Sequence, residues 1–554
     1  MKKLNIYFYS PGFTNKRPVE EFADRTKTLF LNPTPLYLYS YIKRNEPDLL
    51  DKFEFTRLQY LPLTTEELIA DIEKYDIDVL ALSVYTWNNV HVMNNIKGIH
   101  DKLTKPIKII IGGPNVMITR DEEYLVNHPE IEFAIYAQGE GPFISVLKHY
   151  LGLEKISLLK SKNIAWMDQG KLKKADYEFN KITVGSPVVE SRHLLEQVVN
   201  DPYYKDWILH FPYETSRGCP YNCSFCDWTS GLSHKVSKRK FAYEEELETL
   251  GQLGITDLYM ADANFGLFPE DLGIAETMAR LKKEKGYNFW IHGNNFSKTK
   301  KDQVFKIADI FVGSKITPYI KFSIQDINEE VLNNIDRPDI AWSEHIKYIL
   351  KLKEKYPETV MALDIIKGLP GQTRVTWETI FNEICQYNIQ LDVYDWEIIA
   401  NSPAGYDKEY QKRMELKTMI RYNEGHKQED VIETLSYTIR DYAYFTLLYG
   451  SYSEFFRNNT PAFPKFLTLV KNSVRLDEFL DIIVNNIADK KKIKYIVQDA
   501  VLSVIKENIS VFNKKFVEKV LKTDKNKKFG NNGMHLIHKV LKSPEELINE
   551  VFKE

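Results

Sequence analysis

Three cysteines, Cys219, Cys223 and Cys226, fall within eight residues of a chain that holds four in all. A disulfide framework would need more cysteines, spread more widely, so this spacing points to a metal site. A closed zinc site needs four ligands, usually as two separated pairs. The remaining cysteine, Cys385, lies in a segment predicted to be helical and reads as a buried structural thiol. Three thiolates about one turn apart suit three irons of a 4Fe-4S cube and leave the fourth iron without a protein ligand. An open iron can bind a substrate or cofactor. The alternative is a zinc ion completed by a distant histidine.

The elements around this cluster define its setting. Strands are predicted at residues 4–9, 53–58, 77–84, 107–111 and 133–136, each followed by turn residues, with helical spacing at 36–44, 65–75, 90–103 and 142–151. That alternation predicts a doubly wound, Rossmann-like α/β domain over residues 1–160, whose ligands lie beyond the carboxyl ends of its strands. Residues 161–210 read as a linker with a small hairpin. From 211 to 404, six strand candidates (211–215, 257–261, 288–292, 319–324, 359–366 and 393–399) alternate with helices, which predicts a partial (β/α)6 TIM-like barrel, too short for the eightfold form. The cysteines directly follow its first strand, in a loop at the catalytic face. Beyond 405 strand signals fade, predicting a helical carboxyl-terminal domain over 405–554, with helices at 432–451, 476–488 and 493–505 and a solvated loop at 522–530.

Composition bounds the partners. The 554 residues hold 74 basic and 77 acidic side chains, a net charge of −3, and are 43% hydrophobic and 27% charged. This is the profile of a soluble globular protein, with no electrostatic reason to expect nucleic acid or a membrane surface as principal partner. No apolar run approaches the roughly 18 to 20 residues that span a bilayer. Met1-Lys2-Lys3 and the apolar residues after it mimic a signal peptide, but the run is too short and stops at Pro11-Gly12. A cytoplasmic location is expected.

Cys-x-x-x-Cys-x-Phe-Cys at the end of a first barrel strand resembles the radical S-adenosylmethionine (SAM) superfamily. The resemblance implies that SAM chelates the open iron and that an electron from the reduced cluster cleaves it to a 5′-deoxyadenosyl radical. Met260-Ala261-Asp262-Ala263-Asn264-Phe265-Gly266, after the second strand, stands where the superfamily holds the SAM amino group. The usual form there is Gly-Gly-Glu; Asp262 and Asn264 are the polar residues here. Ser323 and Gln325, ending the fourth strand, match residues that face the SAM ribose and carboxylate. Residues 364–373 (Asp-Ile-Ile-Lys-Gly-Leu-Pro-Gly-Gln-Thr), with Asp364 and Gly368, resemble the fifth-strand motif that packs against adenine. Phe225 would shield the cluster from water; its other role would be ordinary barrel core. Taken singly, each later segment also reads as a strand ending in a turn.

The amino-terminal domain lacks Gly-x-Gly-x-x-Gly after its first strand, which argues against a dinucleotide. Residues 77–88, Ile109-Ile110-Ile111-Gly112-Gly113-Pro114 and Gln138-Gly139-Glu140-Gly141 resemble the cobalamin-binding domain that precedes many radical SAM barrels. Gly112, Gly113 and Gly139 would let the backbone approach a flat corrin. Ser83 and Asn88 could bond its amide arms, with Tyr85, Pro114 and Glu140 beside them; otherwise these are plain turn residues. The Asp-x-His-x-x-Gly string that supplies a lower cobalt ligand is absent, and His91, His100, His128 and His149 read as surface or helix residues. A domain that keeps the fold but has lost the corrin stays open.

The resulting expectation is a cobalamin-dependent radical SAM methyltransferase acting on an unactivated carbon, or phosphorus, of a small-molecule or peptide substrate, with an electron donor such as flavodoxin or ferredoxin. The resemblance implies that one SAM methylates the corrin and a second yields the radical. Cyclisation or rearrangement without methyl transfer is the rival, with or without cobalamin. An RNA methylthiolating enzyme would carry three further cysteines in the amino-terminal domain. A cobalamin sensor with a vestigial barrel is the non-enzymatic rival, disfavoured by the intact triad.

Overall fold

The computed structural model describes residues 3–517 apart from 13, 16–27, 104, 117–120, 154–160, 179–184, 229–234, 318, 338, 388, 424–425, 457–461, 474 and 516. The chain forms two compact units. One comprises Met1–Pro318 with Ile399–Tyr406 and Tyr422–Lys427; the other comprises Tyr319–Ile398, Asp407–Arg421 and the chain from Gln428 onward.

The first unit opens with β1 (Leu4–Tyr9), β2 (Thr14–Asn15) and β3 (Thr28–Phe30). Then follow α1 (Thr34–Asn45), β4 (Phe53–Gln59), α2 (Thr65–Lys74), β5 (Val79–Ser83), α3 (Asn89–Lys102), β6 (Lys108–Gly112), α4 (Asp121–Asn127), β7 (Ile131–Ile135) and α5 (Glu140–Tyr150), and the hairpin β8 (Ile164–Asp168) and β9 (Lys171–Lys174). The sheet order is β4-β1-β5-β6-β7-β8-β9, parallel through β7. Strands such as Val-Leu-Ala-Leu-Ser are apolar on both faces because helices cover both. Tyr7, Leu80, Ile109 and Ile96 meet in one core. Thr64 and Glu67 form a capping box that starts α2. The strand order reverses at β1, so the crevice between the loops after β1 and β5 is the switch point where ligands bind in such sheets. The hairpin expected within a linker instead extends this sheet, β8 pairing antiparallel to β7.

Next come α6 (Pro187–Glu190), α7 (Arg192–Val199), β10 (Ile208–Tyr213), β11 (Ser216–Gly218), β12 (Val236–Lys238), α8 (Tyr243–Gln252), β13 (Asp257–Phe265), α9 (Glu270–Lys285), β14 (Trp290–Phe296) and α10 (Lys301–Gly313). Here the expected barrel strands gain neighbours: the sheet runs β14-β13-β10-β3-β2, and Thr28, Leu29 and Phe30 pair in parallel with Ile208, Leu209 and His210. A three-residue strand is too short to show a period in sequence.

The second unit holds β15 (Tyr319–Gln325), α11 (Glu329–Asn334), α12 (Trp342–Lys355), β16 (Val360–Lys367), α13 (Arg374–Cys385) and β17 (Gln390–Asp395), with a parallel sheet β15-β16-β17. Ile320, Phe322 and Ile324 are buried while Tyr319, Lys321 and Ser323 alternate with them, half-buried. After α14 (Pro403–Tyr406), which belongs to the first unit, come α15 (Lys408–Arg413), β18 (Lys417–Asn423), β19 (His426–Glu433), α16 (Ile439–Phe456), α17 (Phe463–Asn472), α18 (Leu476–Asn486) and α19 (Lys490–Glu507). The carboxyl-terminal region is therefore helical with one correction. The β18-β19 hairpin precedes the helices, and the helix expected from 432 begins at Ile439, because a sequence as polar as Lys-Thr-Met-Ile-Arg-Tyr-Asn has no apolar alternation to announce a strand. The loop expected at 522–530 lies outside the described residues.

Candidate functional site

The cysteine loop leaves β10 and is closed at its base by β11 and β12, where Ser216 pairs with Lys238 and Gly218 with Val236. Gly218 turns the chain at φ +86°, a left-handed conformation suited to glycine, immediately before Cys219. None of the three cysteines is in a disulfide; Cys219 and Cys223 are buried and Cys226 is half-buried. The Cys226 amide donates to the Cys223 carbonyl at 3.0 Å, and the Ala404 amide to the Ser224 carbonyl at 2.8 Å, bracing the turn. Burial pushes the Cys226 thiol up to about 12, so a bound metal must displace its proton. The Asn264 side chain donates to Cys219 Sγ at 3.0 Å. Lys298 reaches Asn264 Oδ1 at 3.4 Å and lies 4.8 Å from the centre of the Tyr221 ring. Among the described residues, no three His, Cys, Asp or Glu side chains converge as one metal ion requires. The donor set, three soft thiolates on one short loop, has the chemistry to take three separate irons of a 4Fe-4S cube. Phe225 is half-buried beside them, outside the ordinary core.

Asp262 does not serve as expected. It is fully buried, and its carboxylate accepts from the Thr215 amide at 2.9 Å, the Thr215 hydroxyl at 2.6 Å, the Ser216 hydroxyl at 3.0 Å and the Ser216 amide. Buried and bonded to both residues of the turn, Asp262 shapes the start of the cysteine loop rather than presenting its carboxylate to a SAM amino group. Burial raises its pKa to about 6, opposed by Lys238. Lys238 Nζ also donates to Thr215 Oγ1 at 2.6 Å and pairs with Asp271.

In the second unit, Gln325 ends β15 at φ +68°, a strained conformation for a residue with a side chain, where the β15-β16 register shifts. Such irregularities at strand ends re-aim side chains. Ser323 donates to Asp364 Oδ2 at 2.6 Å, and Lys321 pairs with Asp364 at 3.1 Å and Asp392 at 2.9 Å. These two expected SAM residues are thus already partnered with each other. Gly368 sits at φ +97°, and an added Cβ would lie 3.0 Å from the Tyr437 hydroxyl, which donates to the Gly368 carbonyl at 2.8 Å. Its glycine is therefore needed by packing against the carboxyl-terminal extension.

At the switch point of the first sheet, Asn88 is buried and spent internally. Its amide nitrogen donates to the Pro11 and Ser83 carbonyls, both at 3.1 Å, and its Oδ1 accepts from the Tyr85 amide at 2.7 Å. It staples the β1 and β5 loops rather than presenting an amide to a corrin. Gly113, at φ +102°, lies so close to β5 that a Cβ would meet Val84 O at 2.7 Å and buried Ser83 Oγ at 2.9 Å. The close approach it permits is to the protein itself. Gly139 has ordinary backbone angles as the cap of α5, and Gly112 has no near clash. Glu140 pairs with Arg217 at 2.8 Å. Pro114 is exposed, and Tyr85 is raised to about 12 by burial. Exposed at this edge is a residue that sequence reasoning passed over: Trp87, 43% exposed, stacked on Tyr85 at 4.4 Å and edge-on to Phe30. A tryptophan in the turn after a strand of the α/β sheet, at the end where ligands bind, was the available signal. Also unforeseen is the group of His210, Asp257 and His292 on adjacent strands. His292 Nε2 lies 2.7 Å from Asp257, and the two imidazole rings are 4.2 Å apart.

Residues 213–384 match the model of the Radical SAM superfamily and residues 51–147 that of the B12 binding domain. The chain is 27% identical over 372 residues to 2-(S-pantetheinyl)-carbapenam-3-carboxylate methyltransferase of Streptantibioticus cattleyicolor, covering 65% of this chain and 52% of that protein. It is 27% identical over 365 residues to the cobalamin-dependent radical SAM methyltransferase TokK of Streptomyces tokunonensis, covering 63% and 51%. The chain thus spans about half the length of the curated relatives it matches. The cobalamin-dependent SAM radical enzyme OxsB, solved with aqua-cobalamin and SAM, superposes with a TM-score of 0.58 at 13% identity, covering 99% of this chain and 84% of that one, a likeness of fold. No described helix is long and apolar enough to cross a membrane.

Proposed function

We propose that this chain, a radical SAM protein with an amino-terminal B12-binding domain, is a cobalamin-dependent methyltransferase acting on an unactivated carbon, or phosphorus, of a small-molecule or peptide substrate. The observation that carries the reading is the presence in one compact unit of a braced loop of three cysteines, none in a disulfide, and a B12-type sheet with an aromatic-lined switch point. The names of two relatives, 27% identical to this chain over 372 and 365 residues and both methyltransferases, support it. When bound, a 4Fe-4S cluster with SAM supplies a hydrogen-abstracting radical and cobalamin supplies the methyl group.

The chain's own residues hold and shield. Cys219, Cys223 and Cys226 would take three irons, with Asn264 donating to the first thiolate, and Asp262 fixes the turn that presents them. Gln325, Ser323, Asp364 and Gly368 are assigned to SAM from their strand positions, and Trp87, Tyr85, Pro114 and Gly112 to the corrin. Phe225, half-buried in the same loop, would shield the cluster from water. Three cysteines kept as thiolate ligands need a reducing compartment, which favours the cytoplasm and a donor such as flavodoxin or ferredoxin.

The test uses SAM labelled in its methyl group and a panel of candidate small molecules and peptides. A productive substrate should yield S-adenosylhomocysteine and 5′-deoxyadenosine in near-equal amounts, with one labelled methyl in the product. 5′-Deoxyadenosine alone would move the assignment to cyclisation or rearrangement.

A further inference from the structure

Arg217 sits in β11, one residue before Gly218 and two before Cys219. Its guanidinium is divided between two carboxylates: Nε and Nη2 fork onto Glu214 at 2.9 and 3.0 Å, and Nη1 reaches Glu140 at 2.8 Å. Glu140 is the first residue of α5, in the Gln138-Gly139-Glu140-Gly141 turn at the carboxyl end of β7. One side chain thus joins the loop at the B12-type sheet's ligand edge to the strand that feeds the cysteines. The guanidinium also lies over the Tyr37 ring of α1, 5.6 Å from its centre.

Three features set this contact apart from a surface ion pair. Arg217 and Glu140 side chains are only 22% and 13% exposed, where pairing is screened little. Two carboxylates share one cation, so a shift of either changes its hold on the other. Glu140 already stands at a helix amino terminus, where the helix dipole favours a negative charge. It does not need the arginine to be stable there. On the other side, the Arg217 main chain pairs with Ser237 in β11-β12 and stands two peptide units before Cys219, so how the guanidinium is held bears on the strand that leads into the cysteine loop.

We propose that Arg217 is a positioning residue that couples occupancy of the corrin-side loops to the geometry of the cysteine loop. The inference rests on the cobalamin and cluster assignments above. Thermodynamic coupling is reciprocal, so hydroxocobalamin should bind the cluster-reconstituted and the iron-free protein with different affinities. A difference of roughly fivefold or more is expected in the wild type. In Glu140→Gln and Arg217→Gln it should fall to about onefold, with the double variant no further changed than either single one. Glu140→Gln is isosteric and distant in sequence from the cysteines, so it carries the test if Arg217→Gln folds poorly. A merely structural ion pair would lower both affinities together and leave their ratio intact. Cobalamin binding with a wild-type ratio of one, or with the ratio retained in Glu140→Gln, overturns the proposal alone. Failure of the wild type to bind cobalamin in either state overturns the functional reading and this inference with it.

Discussion

Asn264 places its side-chain amide 3.0 Å from the sulfur of Cys219, an arrangement in which a neutral donor stabilises charge on a metal-bound thiolate. Hydrogen bonds to cluster sulfurs raise the reduction potential, because the reduced cluster carries more negative charge. Asn264→Ala should therefore keep its iron and lower the cluster midpoint by on the order of 50 mV, the one-electron equivalent of about 1 kcal/mol. A potentiometric titration followed by electron paramagnetic resonance checks it; an unchanged or raised potential would show that the contact does not persist in the loaded protein.

The ligand set itself gives a sharper contrast. Cys223→Ala should lose the cluster and SAM cleavage, whereas Cys385→Ala, whose thiol is buried in α13 and raised to about 12 by burial alone, should retain about four irons per chain. Equal dependence on Cys385 would defeat the open-iron arrangement.

Asp262→Ala removes the acceptor of two backbone amides and two hydroxyls in a site closed to water. Leaving the Thr215 and Ser216 amides unpaired costs about 1 to 3 kcal/mol each. The variant should unfold at lower temperature and retain much less iron than wild type after identical reconstitution, although no cysteine is touched. Wild-type iron content would mean that the turn does not depend on this carboxylate.

For the corrin edge, Trp87→Ala removes an exposed aromatic surface and Asn88→Ala cuts the staple between the β1 and β5 loops. Both should weaken hydroxocobalamin retention while iron content stays at the wild-type level. Spectrophotometric titration distinguishes this from general destabilisation, in which both cofactors would be lost in parallel.

Acid stability should carry the mark of His210. Burial, reinforced by His292, lowers its pKa to about 3, whereas a histidine in the unfolded chain titrates near 6.5. Below that value the unfolded chain takes up a proton that the folded one refuses. The contribution is thus complete above about pH 6.5 and is lost as pH falls toward 3. Near pH 5 the loss is about 2 kcal/mol, so thermal unfolding of the wild type should decline more steeply from about pH 7.5 to 5 than that of His210→Gln. Parallel declines would place the histidine elsewhere in its titration.

What could be read from sequence was what depends on local periodicity and close spacing. β1 and β6 announced themselves as apolar runs bounded by Pro-Gly or Gly-Gly, β5 as an apolar run leading into the Ser83–Asn88 turn, and the cysteines as three soft ligands in one loop. Side-chain destinations were less legible. Asp262 and Asn88 have the chemistry to bind a ligand, but whether that capacity is spent on the protein depends on which strand ends meet. Thr215 and Ser216 lie 47 and 46 residues from Asp262, and Pro11 lies 77 residues from Asn88. The same holds for β3, whose three residues acquire meaning only beside β10.

That last pairing bears on biosynthesis and on the making of chimeras. Thr28–Phe30 leaves the ribosome well before Ile208–His210, its partner in the barrel sheet, so a nascent chain holds a finished edge in reserve until the barrel's first strand arrives. Grafting the barrel onto another amino-terminal domain at a junction anywhere between residues 31 and 207 would separate the two strands. β10 would become an open edge, free to pair with another chain. A working hybrid would need its junction before Thr28, or a donor domain that brings an equivalent strand of its own.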